Sequence, residues 1–120
     1  MKRFKFEELR VYQSAIEFVT YVFKISKTWP SVYRYSLIDQ LHRAALSICL
    51  NIAEGSSRTT KDFQHFLSIS RGSCYECVAI LTVARREALI SEKEFEKVYD
   101  ELDHIARMIT SLKTHIEVAK

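Results

Sequence analysis

Only three residues of this 120-residue chain, Pro30, Gly55 and Gly72, belong to the two types that interrupt regular structure most strongly. A chain this poor in turn residues cannot make the many tight turns of a sandwich or barrel, so it must use long helices joined by few connections. The apolar pattern agrees. Val98, Leu102, Ile105, Ile109, Leu112 and Ile116 recur at alternating steps of four and three, the rhythm of a coiled-coil seam.

The same periodicity predicts four helices, over about 6–27, 36–54, 60–88 and 92–117. In the first, Leu9, Tyr12, Ile16, Val19 and Phe23 form one stripe, and Val11, Ala15, Phe18, Val22 and Ile25 a second beside it. Trp29-Pro30 ends it, because proline disfavours helix in the residue before it. Ser36 is the expected N-cap of the second helix, whose sides are lined by Leu37, Leu41, Ala44, Ile48 and Ile52 and by Ile38, Ala45 and Cys49. Gly55 stands where a left-handed residue would terminate that helix. Thr59 or Thr60 caps the third, with Phe63, Leu67, Cys74, Val78 and Leu81 as its seam. Ser91-Glu-Lys-Glu94 is a capping box for the fourth. The short connections force antiparallel neighbours. The expected fold is all-α, an up-down-up-down antiparallel four-helix bundle, with residues 1–120 forming one domain.

Composition limits what such a bundle can do. The longest uncharged run near the middle, Ala44 to Ala53, is too short to span a bilayer, and no apolar segment of signal-peptide type follows the basic amino terminus. The expectation is a cytoplasmic protein without a membrane partner. Six tyrosines, seven phenylalanines and one tryptophan exceed what a slim core hides, which points to a homo-oligomer. Three cysteines are too few and too odd for a disulfide framework. Cys74 and Cys77 have redox-motif spacing, but they fall mid-helix on apolar positions, so we read them as packing residues.

Net charge is +3, and it is uneven: residues 1–60 carry nine Lys/Arg against five Asp/Glu, residues 61–120 nine against ten. The excess gathers at Lys2, Arg3, Lys5 and Arg10, with Arg58 and Lys61 at the central turn. These six are the candidate contacts to a nucleic acid.

Polar residues interrupt the apolar helices in one pattern. Gln40, Arg43, Ser47, Asn51 and Glu54 step along helix two by three or four, and Gly72, Ser73 and Glu76 make a small polar patch on helix three. Glycine inside a helix costs about 1 kcal/mol relative to alanine, so Gly72 should mark a close approach. The two patches are expected to face each other as a structural network, with Arg43 on Glu76 or Glu54, and Asn51 on backbone or Ser73. Asp39/His42 and Glu101/His104 each set a carboxylate three residues before a histidine. With Glu17 and Glu76 they formally resemble a di-iron set. Asp39 stands where glutamate is required, and His104 lies beside its seam rather than on it. We therefore expect no metal, no cofactor and no enzyme.

Phe6-Glu-Glu-Leu-Arg-Val-Tyr-Gln13, Gln40-Leu-His-Arg-Ala-Ala-Leu-Ser-Ile48, Asn51-Ile-Ala-Glu-Gly55 with Arg58, and Phe66-Leu-Ser-Ile-Ser-Arg-Gly-Ser73 with Glu76 resemble the bacterial four helix bundle protein family. Its members occur in intervening sequences of 23S rRNA genes and are sometimes labelled ribosomal proteins, a label that rests on gene location. The resemblance covers nearly the whole chain. Here His42 stands where the family usually has arginine, and Cys74 and Cys77 where apolar residues are usual. It implies a ring-like homopentamer. It also implies similarity to the accessory variability proteins of diversity-generating retroelements, which associate with a reverse transcriptase and nucleic acid. It carries over no catalytic residue.

The function expected on these grounds is a non-enzymatic, oligomeric bundle that binds RNA, DNA or a nucleic-acid-binding protein. A protein-binding scaffold ring is the alternative, and a di-metal carboxylate enzyme the remote one.

Overall fold

Apolar side chains at helical spacing drive four helices together, and short connections make neighbours antiparallel. The computed structural model describes residues 4–119, with α1 at Arg10–Ser26, α2 at Asp39–Ser56, α3 at Thr60–Arg86 and α4 at Glu92–Ala119. No strand occurs among the described residues. Ser26 at the end of α1 meets His42 near the start of α2, with 2.9 Å between Ser26 Oγ and His42 Nε2. Ser47 in the middle of α2 meets Ser73 of α3, and Gly55 near the end of α2 meets Phe63 and Phe66 near the start of α3. Arg85 late in α3 reaches Glu92 at the start of α4, while Gln64 early in α3 donates to the carbonyl of Lys113 late in α4. Each helix therefore runs antiparallel to the next, in a bundle of 47 × 26 × 23 Å.

The core lies along the bundle axis. Phe18, Val22, Leu41, Ile48, Ile52, Leu67, Leu81, Val98, Leu102, Ile105 and Ile109 are fully enclosed. On α1 the second apolar stripe, Val11 to Val22, faces inward, and Val19 of the first joins it. Ile16 and Phe23 of the first stripe stay 39% and 40% exposed. The pattern made α1 wider than its neighbours can cover.

Helix ends differ from expectation where backbone details decide. The chain first makes a 3-10 turn at Lys5–Glu8, passes through extended Leu9, and only then enters α1. Ser36 does not cap α2. It lies within a π-helical turn, Arg34–Ile38, that leads into the helix. Thr59 caps α3, its Oγ1 accepting from the Asp62 N–H at 3.2 Å. The Ser91/Glu94 box closes both ways, at 2.9 and 3.0 Å.

Gly55 takes the close-approach role expected of Gly72, and neither glycine takes the helix-ending role expected of Gly55. Gly55 has no positive φ and lies inside α2, which continues to Ser56. A Cβ on Gly55 would stand 2.7 Å from Phe66 Cβ and 2.9 Å from Phe63 Cδ1, so Gly55 is what lets α3 come close. A Cβ on Gly72 would meet nothing within 4 Å. Among the described residues the left-handed backbone falls instead on Ala88, at φ 61°. Ala88 ends α3 in a Schellman turn: Leu89 N–H donates to Ala84 O and Ala88 N–H to Arg85 O, both at 2.9 Å.

Over 18 residues α3 is long and apolar enough to cross a membrane by length and composition alone. In the bundle it packs against α2 on one flank and α4 on the other, with Ile69 and Val83 left 41% and 47% exposed.

Candidate functional site

The start of α1, the α2–α3 turn and the end of α4 share one end of the bundle, and the candidate basic residues gather there. Lys5 sits in the 3-10 turn that packs on α2, Arg10 opens α1, and Lys61 lies in the first turn of α3; all three are exposed. Among the described residues none of the three has a carboxylate within ion-pair distance. Arg58 differs. Its Nε donates to Glu54 Oε2 at 3.0 Å, and its guanidinium lies 5.4 Å from the Phe66 ring centre. Its guanidinium is thus held at the turn by an ion pair. Glu7, Glu8 and Asp62 stand at the same end, which mixes its charge. Lys2 and Arg3 lie outside the described residues.

The structure brings together part of the polar stripe. Ser73 Oγ donates to Ser47 Oγ at 2.8 Å. Asn51 Nδ2 donates to Ser47 Oγ at 2.9 Å and to Ser47 O at 2.8 Å. One layer deeper, Ser70 Oγ donates to Ile48 O at 2.7 Å. The Ser73 and Ser70 bonds cross between the helices and pin the register of α2 on α3, while the Asn51 bonds run along α2. The charged members stay out of the network. Arg43 pairs along its own helix with Asp39 at 3.7 Å, not with Glu76 or Glu54, and Gln40, Glu54 and Glu76 are exposed. Spacing placed these residues on the correct helix face, but the outer edge of that face meets water.

The three thiols are buried and reduced. Burial pushes Cys74 up to about 12 and raises Cys77 and Cys49 as well, so each stays a neutral thiol at ordinary pH. Of the carboxylate–histidine set, Glu17, Glu101 and His104 line one groove between α1 and α4. Burial raises the Glu101 carboxyl, Lys97 opposes this, and Glu17 adds to it. Asp39, His42 and Glu76 lie on other elements, and no three His, Cys, Asp or Glu among the described residues gather to hold a metal. His42 packs its ring edge-on to Phe23 at 4.5 Å, and burial lowers its pKa against the weaker opposing pull of Asp39.

One feature escaped sequence reasoning. A groove of about 610 Å³ runs between α3 and α4, with Cys74 and Leu102 among its lining residues and with Tyr75, Tyr99, Arg71 and Arg107 around it. It continues into a more polar trough with Ser68, Thr110 and Lys113. Every one of these residues is ordinary by itself. Only the offset of α3 against α4 makes them neighbours.

The chain matches the description "23S rRNA-intervening sequence protein" over residues 7–111. It belongs to that family. The fold agrees with a solved relative: the crystal structure of a protein of unknown function from the S23 ribosomal protein family of Bacteroides thetaiotaomicron superimposes with a TM-score of 0.79. That chain is 20% identical, and the alignment covers 87% of this chain and 95% of the other. At this identity the likeness speaks for the fold. No curated protein matches the chain in sequence.

The stretch of this family member from Ser47 to Arg58 now has a physical reading. Ser47 accepts from Ser73 across to α3, Asn51 donates back to Ser47 along α2, Gly55 admits Phe66, and Glu54 holds Arg58 over the turn. Each of these contacts serves the fold.

Proposed function

We propose that this protein is a non-enzymatic, self-associating bundle that binds RNA or a ribonucleoprotein. Lys5, Arg10 and Lys61 carry the nucleic-acid reading: three exposed cations at one end of the bundle, none neutralised by an ion pair among the described residues. Membership in a family described by 23S rRNA intervening sequences supports it. Phosphate contacts release condensed counterions, so binding should weaken steeply with salt. Titrating labelled structured RNA at two salt concentrations tests this. Affinity should fall as salt rises, and it should fall again when the three cations are replaced together by glutamate. Absence of binding at low salt, or binding indifferent to salt, overturns it.

Self-association rests on the outward face of α2 and α3. Leu50 is 59% exposed, Ile69 41% and Val83 47%, and open Gly72 lies among the α3 pair. Exposed apolar side chains of this kind, with exposed Glu76 among those on α3, are expected to be covered by a second copy, and the family resemblance implies five copies. Light scattering should give a multiple of 14.0 kDa. A monomer at micromolar concentration would refute the assembly while leaving the RNA titration to stand alone. The same side chains support the scaffold reading, which predicts a protein partner whose capture survives nuclease treatment.

A further inference from the structure

The α3–α4 groove combines features that the basic end lacks. Tyr75 and Tyr99 stand 59% and 48% exposed along it. Arg71 lies at the junction of the apolar groove and the polar trough. Its Nη2 donates to the Tyr75 hydroxyl at 3.1 Å, with the guanidinium 5.0 Å from the Tyr75 ring centre. Its Nε is buried without an acceptor, and no carboxylate pairs with it among the described residues. Arg107, by contrast, is neutralised by Asp103 at 2.9 Å. Further along, Lys113 gives its ammonium to the Ser68 hydroxyl at 2.6 Å and has no ion-pair partner among the described residues. From Gln64 to Ala79 the lining spans 15 helical steps, about 22 Å of α3.

Two exposed tyrosines and two cations without an ion-pair partner among the described residues line one continuous trough, which Asp103 and Glu117 also line. Aromatic rings beside cations are the chemistry that recognises unpaired nucleotides. Every base has a π-face to stack, and every linkage has a phosphate to pair. A duplex hides its bases and would meet only the cations. We propose that the α3–α4 trough holds a short single-stranded segment of RNA, with bases on Tyr75 and Tyr99 and phosphates on Arg71 and Lys113. This rests on the RNA reading above but assigns the contact to a different surface, on the long flank of the bundle rather than at its basic end.

The test uses the full chain and three fluorescent probes: hexauridylate, a stable RNA hairpin with a minimal loop, and uridine monophosphate. Hexauridylate should bind, and Tyr75→Ala or Tyr99→Ala should each weaken it roughly 5- to 150-fold. Tyr75→Phe and Tyr99→Phe, which keep the ring, should restore most of that loss. Both tyrosines are exposed, and unchanged melting curves would show that the alanine variants remain folded. Hairpin binding without hexauridylate binding overturns the proposal and leaves the RNA reading intact. So does hexauridylate binding that is unmoved by the alanine changes but lost on replacing Lys5, Arg10 and Lys61. Monophosphate binding as tight as hexauridylate makes this a nucleotide pocket, not a strand site, and also overturns it. If none of the probes binds at low salt, both readings fall together.

Discussion

Gly55 packs beside Phe63 and Phe66 of α3, so along the α2–α3 hairpin Gly72 lies about two helical turns beyond it, and the two glycines answer to opposite constraints. Gly55 is buried against two phenylalanine side chains of the next helix. Gly72 is exposed, mid-helix, with empty space where a side chain would go. Both sacrifice helix propensity. At Gly55 the benefit is visible within one chain, as closer packing. At Gly72 nothing within the chain returns it. If the chain self-associates as proposed, an exposed glycine that costs its own fold something is where a second chain would come close.

Substitution at Gly55 should have the largest effect. Gly55→Ala puts a methyl at 2.7 Å from Phe66 Cβ, which is anchored to the backbone and cannot swing away. Overpacking of this kind costs about 1–3 kcal/mol. Chemical denaturation should show the loss, and an unchanged midpoint would mean that α3 can retreat and that the close approach is not needed.

Next in size is the hydrogen-bonded layer level with Gly72. Ser73→Ala and Asn51→Ala should each cost about 1 kcal/mol. Because both side chains bond to Ser47 Oγ, the double variant should lose less than the sum. Strict additivity would show that the three groups do not act as one network.

Ala88 reverses the glycine comparison. It occupies the left-handed C′ position that a sequence reader would give to glycine. Ala88→Gly should stabilise by about 1 kcal/mol, since only the Cβ makes that conformation unfavourable. A loss would indicate that the methyl packs usefully.

Gly72→Ala splits the two meanings of an exposed glycine. At a concentration where chains are dissociated, the variant should melt higher, by about 0.5–1 kcal/mol of added helix stability. At higher concentration it should assemble less well. If assembly is unaffected, Gly72 faces only water and the contact lies elsewhere.

These pairs also show what the sequence could and could not reveal. Local rules worked where one helix contains the whole cause. Thr59 and the Ser91/Glu94 box are caps because three or four residues suffice to define them. The core seams of α2 and α4 followed from 3.6-residue periodicity alone. That the two small polar patches face each other was legible, and so was Asn51 on backbone, but the Ser47–Ser73 bond at their centre was not. The roles of the glycines were not legible, since each depends on how far one helix slides along another. The α3–α4 groove failed for the same reason: Tyr75 and Tyr99 share no sequence spacing, only an interhelical offset. Arg43 was misplaced by a smaller margin, because a long side chain at the rim of a helix face can choose a neighbour on its own helix.

The smallest effect is a buried charge rather than a missing side chain. Glu101 lies partly enclosed between α1 and α4, and burial raises its pKa despite the nearby Lys97 ammonium. Folding therefore favours the protonated form. The folded chain binds this proton more tightly than the unfolded one, whose glutamate titrates near its ordinary value of about 4.3. Below that value both states are protonated and the site imposes no penalty. As pH rises through the unfolded and then the folded pKa, the penalty appears, and it is complete at neutral pH. Glu101→Gln removes it. The variant should melt higher than the parent at pH 7 and equally at pH 3.5, with the gap opening between. A gap of the same size at both pH values would mean that glutamine changes packing instead. A lower melting point at pH 7 would show that attraction to Lys97 outweighs the cost of burial, and that this flank, like Gly55, is held from within.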